Sequence, residues 1–249
     1  MMFRLAIIIA AITVLSSLAF AQRGVSESRV TWQPSYSGAC KNCNLVGQQM
    51  PSWNLTGAQY DGSDLSYASL HGVTADGAFF RGITAYKTQF NRAKLRNAQF
   101  SGANLDAAQL IGVDANGADF SDATLDRADL RETKMIGASL AGASVIHSLC
   151  PGTDFSAVNG TGAIFDSATL RGAIFDGSVL RGASFVEADI AGASFRGARL
   201  PGSNLARVIN FSLADFSGAC RSETTQMPPG LVLPLCEDIG AEPRLIEAP

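Results

Sequence analysis

The sequence predicts an all-β solenoid, a chain wound into stacked coils around a narrow apolar core. Every fifth residue from Leu45 to Leu205 lies on one register of 33 positions, of which 14 are Leu and 9 are Phe. Two places before these centres 19 of the 33 residues are Ala, and two places after them 19 of the 33 are Gly. A period of five fits neither a helix at 3.6 nor a strand at 2. It suits a wall that turns a corner every five residues. The centre and the small residue then point inward, the polar residues beside the centre point outward, and Gly eases the corner.

The elements follow in chain order. Residues 1–21 read as a signal peptide: Arg4 supplies a positive start, Leu5 to Leu18 is almost wholly apolar, and Ala19-Phe20-Ala21 carries small residues where a signal peptidase reads. Cleavage after Ala21 is expected, so the chain is read as periplasmic or secreted. The apolar run is short for a membrane span. No Cys follows the cleavage site to carry a lipid. Residues 22–44 are assigned to an N-terminal cap, 45–220 to the solenoid, and 221–249 to a C-terminal cap and tail.

The repeat unit is seen plainly in Ala163-Ile164-Phe165-Asp166-Ser167 and Ala168-Thr169-Leu170-Arg171-Gly172. From Cys43 to Arg207 the pattern resembles the pentapeptide-repeat family. That resemblance implies a right-handed quadrilateral β-helix with four pentapeptides per coil, hence roughly eight coils. Phe spacing points the same way: coils of twenty stack Phe80, Phe100 and Phe120 on one wall, whereas no two Phe centres are fifteen apart. At the ~4.8 Å separation of neighbouring strands the rod is about 40 Å long. The centres expected to fill the core include Leu65, Phe80, Phe100, Leu105, Phe120, Leu125, Phe165, Phe175, Phe185 and Phe195.

Both ends depart from the rule. Gln48 and Trp53 occupy slots that want small residues, so the first coil is expected to be irregular, with Trp32, Tyr36 and Trp53 covering the open core. Solenoid ends need such covers against edge-to-edge pairing. After Leu205 the register slips by one, with Phe211 and Phe216 running a residue late and the Pro-rich tail reading as a lid. Inside the array Val145, Cys150 and Gly160 replace Leu or Phe, and Pro151 follows a centre. Poor packing is expected there. The stretch reads as a tolerated distorted coil, with a hinge, groove or pocket beside His147 as the functional alternative.

Five cysteines fit an oxidising compartment. Their placement suggests one structural disulfide per cap, Cys40 with Cys43 and Cys220 with Cys236, leaving Cys150 as a small buried hydrophobe. The Cys40-Lys41-Asn42-Cys43 motif also admits two other readings, a redox pair or half of a zinc site. The first lacks a signal for a thiolate-stabilising helix, and the second has only His71 and His147 as further ligands.

Charge gives no footprint for nucleic acid: without the leader 18 basic residues stand against 22 acidic ones, a net charge of −4. Acidic residues such as Asp61, Asp76 and Asp166 alternate with Arg81, Arg96 and Arg181, which reads as a solvated face. No catalytic motif, phosphate loop or zinc signature is present, and no cofactor is implied. Asn54, Asn159 and Asn210 begin Asn-x-Ser/Thr triplets, a weak signal. The function expected is an exported, non-catalytic scaffold for an unidentified protein partner, with a second copy of the chain as the alternative partner. Neither nucleic acid nor, after cleavage, membrane is expected as a partner. The competing readings are a duplex-DNA mimic that binds a topoisomerase, a role some members of the resembled family perform, and a thiol-disulfide active protein using Cys40 and Cys43.

Overall fold

The computed structural model describes residues 38–236. The expected signal peptide and cleavage site, Trp32, Tyr36 and the tail beyond Cys236 lie outside the described residues. Parallel bridges join each outward residue to the one twenty positions later, from Ala39 with Gln59 through Asp189 with Ile209. Four pentapeptides therefore close one circuit, and the centres fall on four walls. Wall one carries Phe80, Phe100 and Phe120, and wall two carries Leu65, Leu105, Leu125, Phe165 and Phe185. Wall three carries Leu70 and Phe90, and wall four carries Phe155, Phe175 and Phe195. All of these side chains are fully buried.

One pentapeptide shows why the wall forms. Leu65 N–H donates to Thr84 O at 2.7 Å and Tyr67 N–H to Tyr86 O at 2.9 Å, both in the next coil, while Asp64 N–H reaches back to Cys43 O at 2.9 Å. Ala68 N–H closes the corner on Leu65 O at 2.9 Å. The corner residue two places after the centre has positive φ at every step from Asn42 to Gly202, as a type II turn requires. Gly accepts this without strain, whereas a residue with a Cβ costs about 1 kcal/mol there.

One backbone donor per unit is left over, the N–H directly after the centre, and in many units an outward Asn or Asp side chain takes it. Asn104, Asp114 and Asp119 each accept the N–H two residues on, at Asp106, Asn116 and Ser121. Others reach one coil forward: Asp61 accepts Arg81 N–H, Asn116 accepts Ile136 N–H and Asp126 accepts Ile146 N–H. Pro51, Pro151 and Pro201 stand at this same position, where no donor is needed. These carboxylates and amides hold the wall together, which corrects their reading as a merely solvated face.

Inside, aromatic rings stack coil on coil. Phe80, Phe100 and Phe120 lie 4.8 and 5.0 Å apart by centroid. Phe155, Phe175 and Phe195 do the same at 4.8 and 4.9 Å on wall four. Rings from opposite walls meet edge to face, as Phe165 and Phe175 do at 5.5 Å. Between Phe120 and Phe155 the centres are aliphatic, Met or Cys, and there the aromatic stack passes from wall one to walls two and four.

The expectation of poor packing around 145–160 is corrected by this handover. Val145 and Cys150 are fully buried, and the hydrogen-bond ladder runs through unbroken. Gly160 leaves a gap on wall one that Leu180 fills, its Cδ2 lying 2.8 Å from where a Cβ at 160 would sit. Buried hydroxyls in the small slots are satisfied as well: Thr88 donates to Leu65 O and Thr153 to Leu130 O, each at 2.7 Å. Among the described residues no buried side-chain polar atom lacks a partner.

The ends differ from expectation in detail. The first coil keeps the regular backbone, so Gln48 and Trp53, both half-buried, do not disturb it. Cys40 already occupies a core slot beneath Tyr60, so the repeat starts a pentapeptide ahead of the 44/45 boundary. At the far end the extra residue is absorbed in a 3-10 turn, Phe211–Leu213, entered through Asn210 at φ 60°. Phe211 belongs to that turn and is not a wall centre. Phe216 resumes wall four. Strand β1 (Arg199–Leu200) then pairs in parallel with β2 (Cys220–Arg221). Arg221 takes the slot above Leu200, and its guanidinium donates to Leu233 O and Ser222 O.

Candidate binding surface

The two cysteine pairs are disulfides, with Cα atoms 5.5 Å apart for Cys40–Cys43 and 4.8 Å for Cys220–Cys236. The first joins a core slot to the small slot beyond its corner, and Ser63 ties it to the coil above by donating to Cys40 O and accepting Cys43 N–H. The only helix among the described residues is the turn at Phe211–Leu213, and none of the described residues beside this pair forms a helix N-terminus. Cys150 is fully buried beside the Ser148 hydroxyl, and burial pushes its thiol up to about 12. His71 and His147 both point outward, at the corner regions after walls three and two, and are exposed. Among the described residues no group of three or more His, Cys, Asp or Glu is arranged to hold a metal ion. No described helix is long and apolar enough to cross a membrane.

Part of the charge that the walls present outward is paired between coils. Asp61 binds Arg81 at 2.7 Å, Asp114 binds Arg96 at 2.6 Å and Asp189 binds Arg171 at 2.6 Å. Asp106 binds Arg127, and Glu187 binds Arg207. The Arg81 guanidinium holds the Asp61 carboxyl below its usual range. In Asp215 the Ser217 hydroxyl, then Arg196, lower the carboxyl to about 2. Such exposed pairs add little stability each, but they leave no wall with a continuous track of free acid.

One cluster escapes the sequence reading. Tyr67 and Tyr86 meet edge to face with centroids 5.5 Å apart, and Lys87 Nζ lies 5.1 Å from the centroid of the Tyr86 ring. Tyr67 is 55% exposed. The signal lies in the corner slots read at intervals of twenty, which becomes visible only once the coil length is known.

Two family descriptions match the chain. Pentapeptide repeats of 8 copies match residues 63–102, 80–108, 103–142 and 138–177, and pentapeptide repeats of 9 copies match 161–209. No curated protein matches. Solved structures similar to it include HetL, a pentapeptide repeat protein involved in heterocyst differentiation regulation from Nostoc sp. strain PCC 7120. It is 26% identical over 77% of this chain and 92% of its own, with a TM-score of 0.39. A pentapeptide repeat protein of the Arabidopsis thaliana thylakoid lumen is 35% identical over 39% of this chain and 67% of its own, at a TM-score of 0.38. Full-length QnrB1, a plasmid-mediated fluoroquinolone resistance protein, is 18% identical over 75% of this chain and 94% of its own, at 0.36.

Proposed function

Since the chain belongs to the pentapeptide-repeat family, whose members fold as right-handed quadrilateral β-helices, we propose that it is an exported, non-catalytic scaffold that presents its walls to a protein partner. The observation that carries this reading is the contrast between the two sides of each pentapeptide. Inward slots repeat Ala, Leu and Phe from coil to coil, whereas outward slots change at almost every rung: wall one reads Asp61, Arg81, Ser101, Ser121, Ala141, Thr161, Arg181 and Pro201 after its centres. Packing fixes the inside. Only the outside is free to encode a partner, and extended solenoid surfaces serve that use. In this reading a rod of roughly eight coils, about 40 Å long, is released after cleavage at Ala21 and is closed at each end by a disulfide.

Expression of the whole chain in a host with an intact export pathway tests the compartment. A mature N-terminus at Gln22 in the periplasmic or secreted fraction is expected, and retention of the uncleaved chain in the cytoplasm would overturn export. Cross-linking of the exported rod in native extract, followed by reconstitution with the purified partner, tests the scaffold role. Turnover of a substrate without any stable protein complex would overturn that role.

A further inference from the structure

One column of outward side chains alternates in charge. The slots before the wall-four centres read Lys94, Asp114, Lys134 and Asp154 on four successive coils, joined rung to rung by parallel bridges. No other outward column among the described residues carries more than two alternating charges in a row. The column does not pair with itself. Neither Lys94 nor Lys134 forms an ion pair among the described residues, and both are exposed. Asp114 binds Arg96 of the neighbouring column, whereas Asp154 has no cationic partner and accepts only the N–H and hydroxyl of Ser156.

We infer that wall four is the contact face of a two-fold dimer, in which a second copy of the chain lies against it with its rod reversed. The inference rests on the reading of the chain as a protein-binding scaffold and names a partner for one wall. A two-fold axis crossing the wall midway between the rungs of Asp114 and Lys134 sets Lys94 opposite Asp154 of the second copy and Asp114 opposite its Lys134, each contact being made twice. The outer contact joins two groups without an ionic partner inside the chain. A two-fold axis along the rod would instead set each rung against itself and Lys94 against Arg96, and like charges exclude it. Sheets pack face to face ~10 Å apart, and the reversed arrangement matches long side chains with short ones on every central rung. Lys faces Asp, Arg96 faces Ser156, and Ile136 faces Asn116 beside the axis, where an apolar side chain now 42% exposed is covered. Gly112, Gly117, Gly137, Gly152 and Ala157 stand at corners flanking these rungs, so few side chains keep the two walls apart. Asp76 and Asp176 meet near the margin, each beside the Arg whose N–H it accepts, Arg96 and Arg196. The axis falls near the middle of the wall, so the rods overlap along most of their length. A face about 40 Å by about 10 Å buries on the order of 1,000 Å² in total, the small end of specific interfaces, which calls for a salt-sensitive dimer of micromolar affinity.

Sedimentation velocity of the purified chain, with both disulfides intact, tests the dimer. Association is expected at micromolar concentration in low salt, with the dissociation constant rising about tenfold in about 0.5 M salt. Lys94→Asp and Asp154→Lys, each alone, set like charges face to face and are expected to be monomers under the same conditions. Mixed in equal amounts they are expected to dimerise again, since one contact then carries both reversals and the other is native. Rescue by mixing is a result that a purely structural role for either residue does not produce. Asp154→Lys also removes the acceptor of Ser156, so Ile136→Lys, exposed and without such a role, is read beside it and is expected to weaken the dimer at an unchanged urea midpoint. Arg181→Glu on wall one is the control and leaves the dimer intact. A native chain that stays monomeric in low salt up to about 100 μM, a mixture that stays monomeric, or an equal loss in the control overturns the proposal. A monomer that still captures a different protein on cross-linking overturns the dimer while the scaffold reading stands.

Discussion

Phe195 stacks on Phe216 with centroids 4.9 Å apart and planes within 8°, although the two are twenty-one residues apart while the other stacked rings are twenty apart. The 3-10 turn at Phe211–Leu213 stores the extra residue outside the wall, so the aromatic column reaches the last coil in phase. Phe195 is fully buried and Phe216 half-buried. Phe195→Ala is therefore expected to cost about 3–5 kcal/mol and Phe216→Ala markedly less. Urea denaturation of both variants checks the order; a larger loss for Phe216→Ala would mean that the terminal ring, and not the interior column, holds this end.

The inward register is tested by neighbours in sequence. Leu105→Asp places a charge in an apolar core with no partner and is expected to cost several kcal/mol. Asp106 points outward to Arg127, and Asp106→Ser is expected to stay within about 0.5 kcal/mol. Equal denaturation midpoints would refute the assignment of inside and outside.

The period of five makes the inner side of every pentapeptide readable from sequence, because Leu105 or Phe80 occupies its slot whatever the coil length. The outer side is less legible. Asp126 accepts the Ser144 hydroxyl and the Ile146 N–H, partners that become neighbours only when the coil closes at twenty residues. Gly160 reads as a defect until Leu180 is seen filling its space from the next coil. Phe211 keeps the shifted phase of Phe216 in sequence, yet it is set aside by a local turn that no periodicity announces. The Tyr67 corner was hidden for the same reason as Asp126: its meaning lies in which corners match at intervals of twenty.

Asp126→Ala removes an acceptor from two donors and is expected to cost about 1–2 kcal/mol. Asp122→Gly, at a corner with φ 56°, is expected to be neutral or stabilising, since it relieves a left-handed residue. Thermal melts of the two single variants separate these roles. A loss at Asp122 equal to that at Asp126 would show that general charge, rather than backbone capping, is what matters.

Cys150 is expected to resist alkylation in the folded protein and to react once denaturant is added, with both disulfides intact by mass spectrometry. Its thiol is held up at about 12, so the folded state binds that proton more tightly than the unfolded chain. The resulting stability is complete below the ordinary thiol value of 9.0 and is lost as pH rises towards 12. Cys150→Val should flatten the alkaline limb of the stability profile. An unchanged limb would assign it to other groups.

Acid acts in the opposite sense. Asp61 and Asp215 have carboxyls below the ordinary 3.8, Asp215 at about 2, so their contribution is present above pH 4 and fades as pH falls towards 2. Asp215→Asn is expected to lower stability at neutral pH and leave it near that of the native chain at pH 2, so that the acid limb shortens. A midpoint that does not move with pH between 2 and 4 would refute the linkage.

The pentapeptide-repeat rod is expected neither to bind duplex DNA nor to inhibit a DNA topoisomerase at physiological salt. Binding requires a basic stripe that releases phosphate counterions, and mimicry requires its acidic counterpart. Wall one offers neither, since Asp61 is bound to Arg81 and the next four slots after its centres, Ser101 through Thr161, carry no charge. On wall two Asp106 is neutralised by Arg127, while Asp126 and Asp166 each accept a hydroxyl and a backbone N–H of the next coil. These acids are engaged in holding the wall and are interrupted by Ile146 and Val186. A supercoiling assay with the mature chain titrated against the enzyme decides it. Dose-dependent inhibition at micromolar concentration or below would place the DNA-mimic reading above the scaffold reading, whatever the leader sequence implies.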